Sequence, residues 1–229
     1  MEQLEQEAIK RRIGEAAVDL IQDGMLIGLG TGTTITYFIE SLIKRCQAGL
    51  KITAVATSTR SMMQAQQGGI PIDVSNQITE LDLTIDGADE IDPKNCMIKG
   101  GGGALTREKI LASSSKKMLV IVDESKLVSI LGKFGVAVEI VPFCFRTTIL
   151  KIERAGFEGK MRQKSDGSLF KTDNGNYIYD IKKPQSFPNP EAAHNLLAAL
   201  PGVVETGFFF NLPVQALVGY KDGNVIFRN

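Results

Sequence analysis

Apolar residues recur at helical spacing near the start of the chain, where Ile9, Ile13, Ala16, Ala17, Leu20 and Ile21 mark an amphipathic helix. Asp23-Gly24 ends it, and Met25 to Gly30 reads as a short buried strand. Ile35, Phe38, Ile39, Leu42 and Ile43 form the apolar face of a second helix, opened by Thr31-Gly32-Thr33-Thr34. Ile52 to Ala56 predicts another strand, followed by a helix through Gln67, and Ile70 to Val74 a third strand. Leu81, Leu83 and Ile85 alternate with Asp82 and Thr84, the pattern of a strand with one covered face. Ala104 to Ala112 reads as a helix and Met118 to Val122 as a fifth strand. Strands alternating with helices at this rhythm predict an α/β fold with a doubly wound, mostly parallel, Rossmann-like sheet.

The rhythm changes after Gly132. Val136 to Val141 predicts a strand, Thr147 to Ala155 a helix, Lys160 to Lys164 an extended run, and Tyr177 to Ile181 a strand behind the hairpin turn Asp173-Asn174-Gly175-Asn176. Pro190 to Leu200 predicts a helix and Val203 to Phe209 a strand. The order β-α-β-β-α-β is that of a ferredoxin-like α+β unit. The expected organisation is therefore a first domain of residues 1–131 and 207–229 and an inserted small domain of residues 132–206, a lid or oligomerisation domain. Ala216 to Tyr220 and Val225 to Phe227, around Asp222-Gly223, return to the first domain as a hairpin.

Charge and composition narrow the function. Twenty-six Lys plus Arg balance 26 Asp plus Glu, which argues against nucleic acid as a partner. No apolar run is long enough to span a bilayer, and the acidic start Met1-Glu2-Gln3-Leu4-Glu5 is unlike a secretion signal, so a cytoplasmic protein is expected. Cys46, Cys96 and Cys144 lack metal or disulfide spacing, and His194 is the sole histidine, so a zinc site or a histidine triad is not expected.

The stretch Asp86 to Glu108 holds the candidate chemistry: Asp86, Asp89, Glu90, Asp92 and Glu108, with Lys99 ahead of four glycines, Gly100 to Gly103. The acids begin where a strand ends, and in open α/β sheets that edge binds ligands. A run of glycines packs nothing, so it fits a place where backbone must approach another group closely. The loop Thr31-Gly32-Thr33-Thr34, between strand and helix, is an anion site by construction: free N–H groups and the helix dipole face a bound phosphate. Neither a dinucleotide fingerprint nor a Walker A motif fits, since Thr33 stands where the third glycine belongs and no Gly-Lys-Ser/Thr follows. Lys126 falls just after the fifth strand, at the same edge. Lys10 shares a helical row with Gly14, Ala17 and Ile21, so it points inward or snorkels from the edge of the buried stripe. The acids loosely mimic a calcium loop, but Pro93 occupies the position that needs a bidentate glutamate. Flanked by Arg107 and Lys109, Glu108 also suits an ordinary helix ion pair.

Taken together, Gly-Leu-Gly-Thr-Gly-Thr-Thr, Asp-Gly-Ala-Asp-Glu-Ile, Lys-Gly-Gly-Gly-Gly-Ala-Leu-Thr-Arg-Glu-Lys, Ser-Lys-x-Val-x-x-Leu-Gly-Lys-Phe and Thr172 to Asn176 resemble the ribose-5-phosphate isomerases of the A type, in order along nearly the whole chain. Thr33 stands where a serine is common and Gly103 where an alanine is common. The resemblance implies interconversion of ribose 5-phosphate and ribulose 5-phosphate without metal or cofactor, in the pentose phosphate pathway. It makes Glu108 the catalytic base and Asp86, Asp89 and Lys99 further catalytic groups. Thr31, Gly32, Thr33, Thr34, Asp86, Gly87, Ala88, Asp89, Lys99, Gly100, Gly101, Gly102 and Lys126 become substrate contacts, and Lys10 a further phosphate-binding lysine. The expected partners are a small sugar phosphate and a second copy of the chain, as a homodimer or homotetramer. Two other classes compete. A sugar-phosphate sensor needs a DNA-binding helix-turn-helix, for which one helix ahead of the first strand leaves no room. An acyl-CoA transferase with a glutamate nucleophile usually needs a longer chain.

Overall fold

The computed structural model describes residues 2–133, 135–182 and 189–228. In chain order the elements are α1 (Glu2–Val18), β1 (Leu26–Leu29), α2 (Thr33–Gln47), β2 (Thr53–Ala56), α3 (Thr59–Gln67), β3 (Leu83–Asp86), β4 (Glu90–Ile91), β5 (Met97–Ile98), α4 (Leu105–Ser113) and β6 (Met118–Asp123). A 3-10 turn, Glu124–Lys126, follows. Then come β7 (Val136–Ile140), α5 (Phe145–Arg154), β8 (Gly159–Met161), β9 (Tyr177–Ile181), α6 (Pro190–Ala198), β10 (Val203–Thr206), β11 (Phe208–Phe209), β12 (Val214–Gly219) and β13 (Val225–Arg228). The chain forms two compact units: Met1–Ala88, Arg107–Leu127 and Asn211–Asn229 in one, Asp89–Thr106 and Val128–Phe210 in the other.

The first unit is built on a six-stranded sheet of order β13-β12-β6-β3-β1-β2. All neighbours run parallel except the β12–β13 hairpin at one edge. Its core gathers Ile13 of α1, Ile21 just beyond it, Phe38 and Leu42 of α2, and Ile27, Leu29, Ile85 and Ile121 of the strands. Gly14 lets α1 approach α2 closely, since a Cβ there would lie 2.7 Å from Phe38 N. Asp82, one residue ahead of β3, accepts from Leu26 N–H and Lys116 Nζ, both at 2.9 Å.

β3 corrects the expectation of one covered face. Leu83, Thr84, Ile85 and Asp86 are all buried, and the Thr84 hydroxyl is paired with Ser115 Oγ at 2.7 Å. A satisfied hydroxyl can sit inside at little cost, so its polarity did not mark a solvent face. The third strand expected at Ile70 to Val74 is a single bridge, Ala54 to Ile72, because Pro71 has no N–H to give a ladder.

The second unit carries the antiparallel sheet β10-β7-β9-β8, and β7-α5-β8-β9-α6-β10 is the split β-α-β order expected from sequence. Val138, Ile140, Ile152, Ile181, Leu197 and Phe208 lie at its centre. A small sheet β11-β5-β4 completes it. The strand expected at Val203 to Phe209 is therefore two strands in two sheets, divided at Gly207, whose N–H bonds Ala137 O at 2.7 Å. Residues 89–106 belong to this unit rather than the first, because β5 pairs with Phe208–Phe209.

Gly14→Ala should drive α1 off the α2 backbone and lower the unfolding free energy by about 1–3 kcal/mol, read from the urea midpoint at unchanged m-value.

Candidate active site

At the carboxyl edge of the first unit's sheet, β1 leads into Gly30-Thr31, β3 ends on Asp86, and β6 leads into the turn that carries Lys126. Asp86 is fully buried. Its Oδ1 accepts Thr31 N–H at 3.1 Å and Gly87 N–H at 2.8 Å. Gly30 is obligatory for this packing, because a Cβ there would overlap the Asp86 carboxyl. The Thr31 hydroxyl shares a hydrogen bond with Thr57 Oγ1 at 2.7 Å, and Ser61 Oγ donates to Gly30 O at 2.6 Å. Thr31 N–H is thus directed to Asp86.

The helix start itself fits an anion. α2 has Gly32 as N-cap, with φ 132°, and no side-chain cap. Its first turn bond runs from Thr36 N–H to Gly32 O, so Thr33, Thr34 and Ile35 N–H precede the helical ladder. Thr33 is exposed and Gly32 and Thr34 are half-buried. Glu108 sits in the first turn of α4, only 2% exposed. Lys10 and Lys126 are half-buried, on α1 and the 3-10 turn. Gly87 and Ala88, also half-buried, follow Asp86 directly.

The second unit holds the remaining candidates. Asp89 N–H bonds Ile98 O at 2.9 Å, and its Oδ2 accepts Gly101 N–H at 2.8 Å. Lys99 is 3% exposed, with Nζ 5.6 Å from the centre of the Phe209 ring. The loop turns by Gly103 N–H to Gly100 O at 3.0 Å, with positive φ at both residues. Gly101 and Gly102 are exposed. Two acids of the motif have scaffold work instead: Asp92 Oδ1 accepts Lys94 and Cys96 N–H, and buried Glu90 accepts Gly132 N–H at 2.7 Å. Phe134, which ends one of the recognisable motifs, lies outside the described residues.

Sequence reasoning missed Glu139, fully buried in β7. Its Oε1 accepts from Thr172 Oγ1, Asn174 Nδ2 and Asn176 Nδ2 at 2.9, 3.2 and 2.9 Å, and its Oε2 from Thr106 Oγ1 at 2.5 Å. One carboxylate thus ties the Thr172 to Asn176 turn to the first turn of α4, two residues before Glu108. The available signal was a lone charge inside the apolar run Val136 to Ile140.

A parallel sheet whose carboxyl edge offers a buried aspartate and an uncapped helix start puts the chain among α/β proteins that hold small anionic ligands there. A family model for ribose 5-phosphate isomerase A (phosphoriboisomerase A) matches residues 53–223. Ribose-5-phosphate isomerase A of Protochlamydia amoebophila is 58% identical over 214 residues, 93% of this chain and 92% of that protein. The solved ribose 5-phosphate isomerase of Plasmodium falciparum superposes with a TM-score of 0.93 at 36% identity, over 97% of this chain and 98% of that one. A D-ribose-5-phosphate isomerase solved with phospho-erythronic acid gives a TM-score of 0.89 at 35% identity, over 96% and 97% of the two chains. The chain belongs to the ribose 5-phosphate isomerase A family.

Glu139→Ala removes the acceptor of four donors, of which Thr172 Oγ1 is buried, and should cost about 1–3 kcal/mol, the penalty for an unsatisfied buried group. Glu139→Gln should retain most of the stability, its amide oxygen facing the three donors and its NH₂ facing Thr106 Oγ1. Thermal melts of the two variants check this.

Proposed function

We propose that this chain interconverts D-ribose 5-phosphate and D-ribulose 5-phosphate through an enediolate, in the non-oxidative branch of the pentose phosphate pathway. The reading is carried by the likeness, over nine-tenths of the chain, to relatives named for that reaction. The residues supply the chemistry the reaction needs. Moving the carbonyl from carbon 1 to carbon 2 requires a base for the proton on carbon 2 and a positive group for the developing oxyanion. Glu108 takes that proton and returns it to carbon 1, so one carboxylate closes the cycle with no net gain or loss of protons. Its place on a rigid helix, out of water, supports the role. Lys99 is the cation for the oxyanion, and its burial strengthens any charge it meets. Asp86 and Asp89 handle hydroxyl protons and ring opening. Backbone donors at Gly32 to Thr34, the Thr31 to Thr34 hydroxyls, Lys126 and Lys10 take the phosphate. Gly87, Ala88 and Gly100 to Gly102 line the sugar with backbone. The scheme asks for no metal or cofactor.

We assign catalysis chiefly to the larger, Rossmann-like part of the chain, and a lid or oligomerisation role to the ferredoxin-like part. A homodimer or homotetramer is the assembly we favour, supported by exposed Phe143 and Leu150 on the second unit. No helix among the described residues is long and apolar enough to cross a membrane, which suits a cytoplasmic enzyme.

Isomerisation of ribose 5-phosphate by the purified protein is the direct test, and no turnover of that sugar would refute the reading. Glu108→Gln should lower kcat by about 10²–10⁴-fold while KM changes little, as for loss of a general base. A variant that keeps more than about a tenth of kcat would remove Glu108 from that role. Ribose without its phosphate should be a very poor substrate, lower in kcat as well as higher in KM, because remote binding energy orients the reacting end. Inorganic phosphate should compete with substrate. Lys126→Ala should cost roughly 1.5–3 kcal/mol in kcat/KM, the worth of a charged hydrogen bond, and Thr33→Ala about 1 kcal/mol.

A further inference from the structure

We propose that Arg162 is a positioning residue for the glycine loop and, through it, for Asp89. The proposal rests on the isomerase reading only in giving Asp89 a role on the substrate.

Arg162 follows β8 directly. Its Nη2 and Nε donate to the two oxygens of Asp180 at 2.5 and 2.9 Å, a bidentate pair in which the arginine side chain is only 17% exposed. Its backbone is fixed as well, with Arg162 N–H on Ile178 O and Phe170 N–H on Arg162 O, both at 2.9 Å. The guanidinium therefore has little freedom. Its remaining nitrogen, Nη1, donates to Gly100 O at 2.7 Å and Gly101 O at 3.1 Å.

Two successive peptide carbonyls thus turn to one cation. In a trans peptide the N–H points opposite to the carbonyl, so Gly101 N–H and Gly102 N–H are directed away from Arg162. Gly101 N–H meets Asp89 Oδ2 at 2.8 Å. Gly102 N–H donates to no group among the described residues, and Gly102 is exposed. Asp180, Arg162, the Gly100–Gly101 peptide and Asp89 form one line of charge-assisted hydrogen bonds. Glycines have no side chains to pack, so backbone hydrogen bonds are what hold such a loop in one conformation. A plain staple between the Arg162 segment and β9 would use only the two nitrogens facing Asp180. The third nitrogen, aimed at the loop, is what a staple does not need.

The experiment compares wild type, Arg162→Met, Arg162→Lys and Asp180→Asn in two measurements. The first is amide hydrogen exchange at Gly101 in the protein without substrate. Exchange should quicken at least tenfold in Arg162→Met relative to amides of the first unit's sheet. The second is steady-state kinetics with ribose 5-phosphate. Arg162→Met should lose about 10- to 100-fold in kcat with KM within about threefold, the signature of a displaced catalytic group. Arg162→Lys should fall between Met and wild type, because one ammonium cannot serve Asp180 and both carbonyls. A folded Arg162→Met protein with unchanged Gly101 exchange and wild-type kcat overturns the proposal. Should that variant not fold, unchanged exchange and kcat in Asp180→Asn overturns it instead. If wild type does not turn over ribose 5-phosphate, the functional reading fails, and the exchange result still decides for or against Arg162.

Discussion

A carboxylate with no exposure has to be held by donors that the fold supplies, and in the first unit that carboxylate is Asp86. Each charged hydrogen bond it accepts is worth roughly 1.5–3 kcal/mol, and leaving it unheld would cost more. Its Oδ1 draws in Thr31 N–H from the end of β1 and Gly87 N–H from its own strand end. The rest of the edge follows from that demand. Residue 30 has no room for a side chain. The chain then passes from strand to helix through Gly32, in a conformation that side chains rarely adopt. α2 begins without a side-chain cap, and its leading N–H groups face outward from the ladder. The aspartate and the anion-binding helix start are thus two results of one packing problem.

The second unit solves a similar problem with side-chain donors in place of backbone N–H groups. Glu139 collects four neutral donors, and Lys99 lies against an aromatic face, so both charges are kept inside by geometry rather than by solvent. Gly207 allows the backbone contact from Lys99 N–H to its carbonyl at 2.9 Å, where a Cβ would overlap Lys99 O. Rigidity next to a run of glycines comes from these contacts, not from the glycines.

Periodicity made much of this architecture legible. The 3.6-residue repeat of α2, the apolar run of β6 and the Asp222-Gly223 hairpin all fall where the pattern puts them. The split β-α-β order was readable from turn residues and spacing. What failed had specific physical causes. Thr84 looked solvent-facing because its partner, Ser115, is thirty-one residues away in sequence. Pro71 hid the loss of a strand inside an apolar segment. Asp92 and Glu90 stood in an acidic motif but serve turns and backbone donors. Glu139 is a single charge within a strand and Arg162 one of three basic residues in an extended run, positions that read as solvent-facing until the loops that reach them are known. Side-chain chemistry at strand ends was visible in sequence, whereas the groups that hold it in place were not, since long-range pairing decides those.

The sheet of the first unit has a consequence for synthesis. β12 lies between β6 and β13, yet residues 214–219 are made long after β6. Until they leave the ribosome, β6 has one edge bare and Ile13 and Ile9 of α1 lack the β12 backbone that they press against at Gly219. The β7 to β10 sheet, by contrast, is drawn from one run of chain that is already complete. The nascent chain therefore carries an exposed parallel strand edge for the whole time that the intervening ninety or so residues are translated, and that interval is when it is most open to pairing with the wrong neighbour.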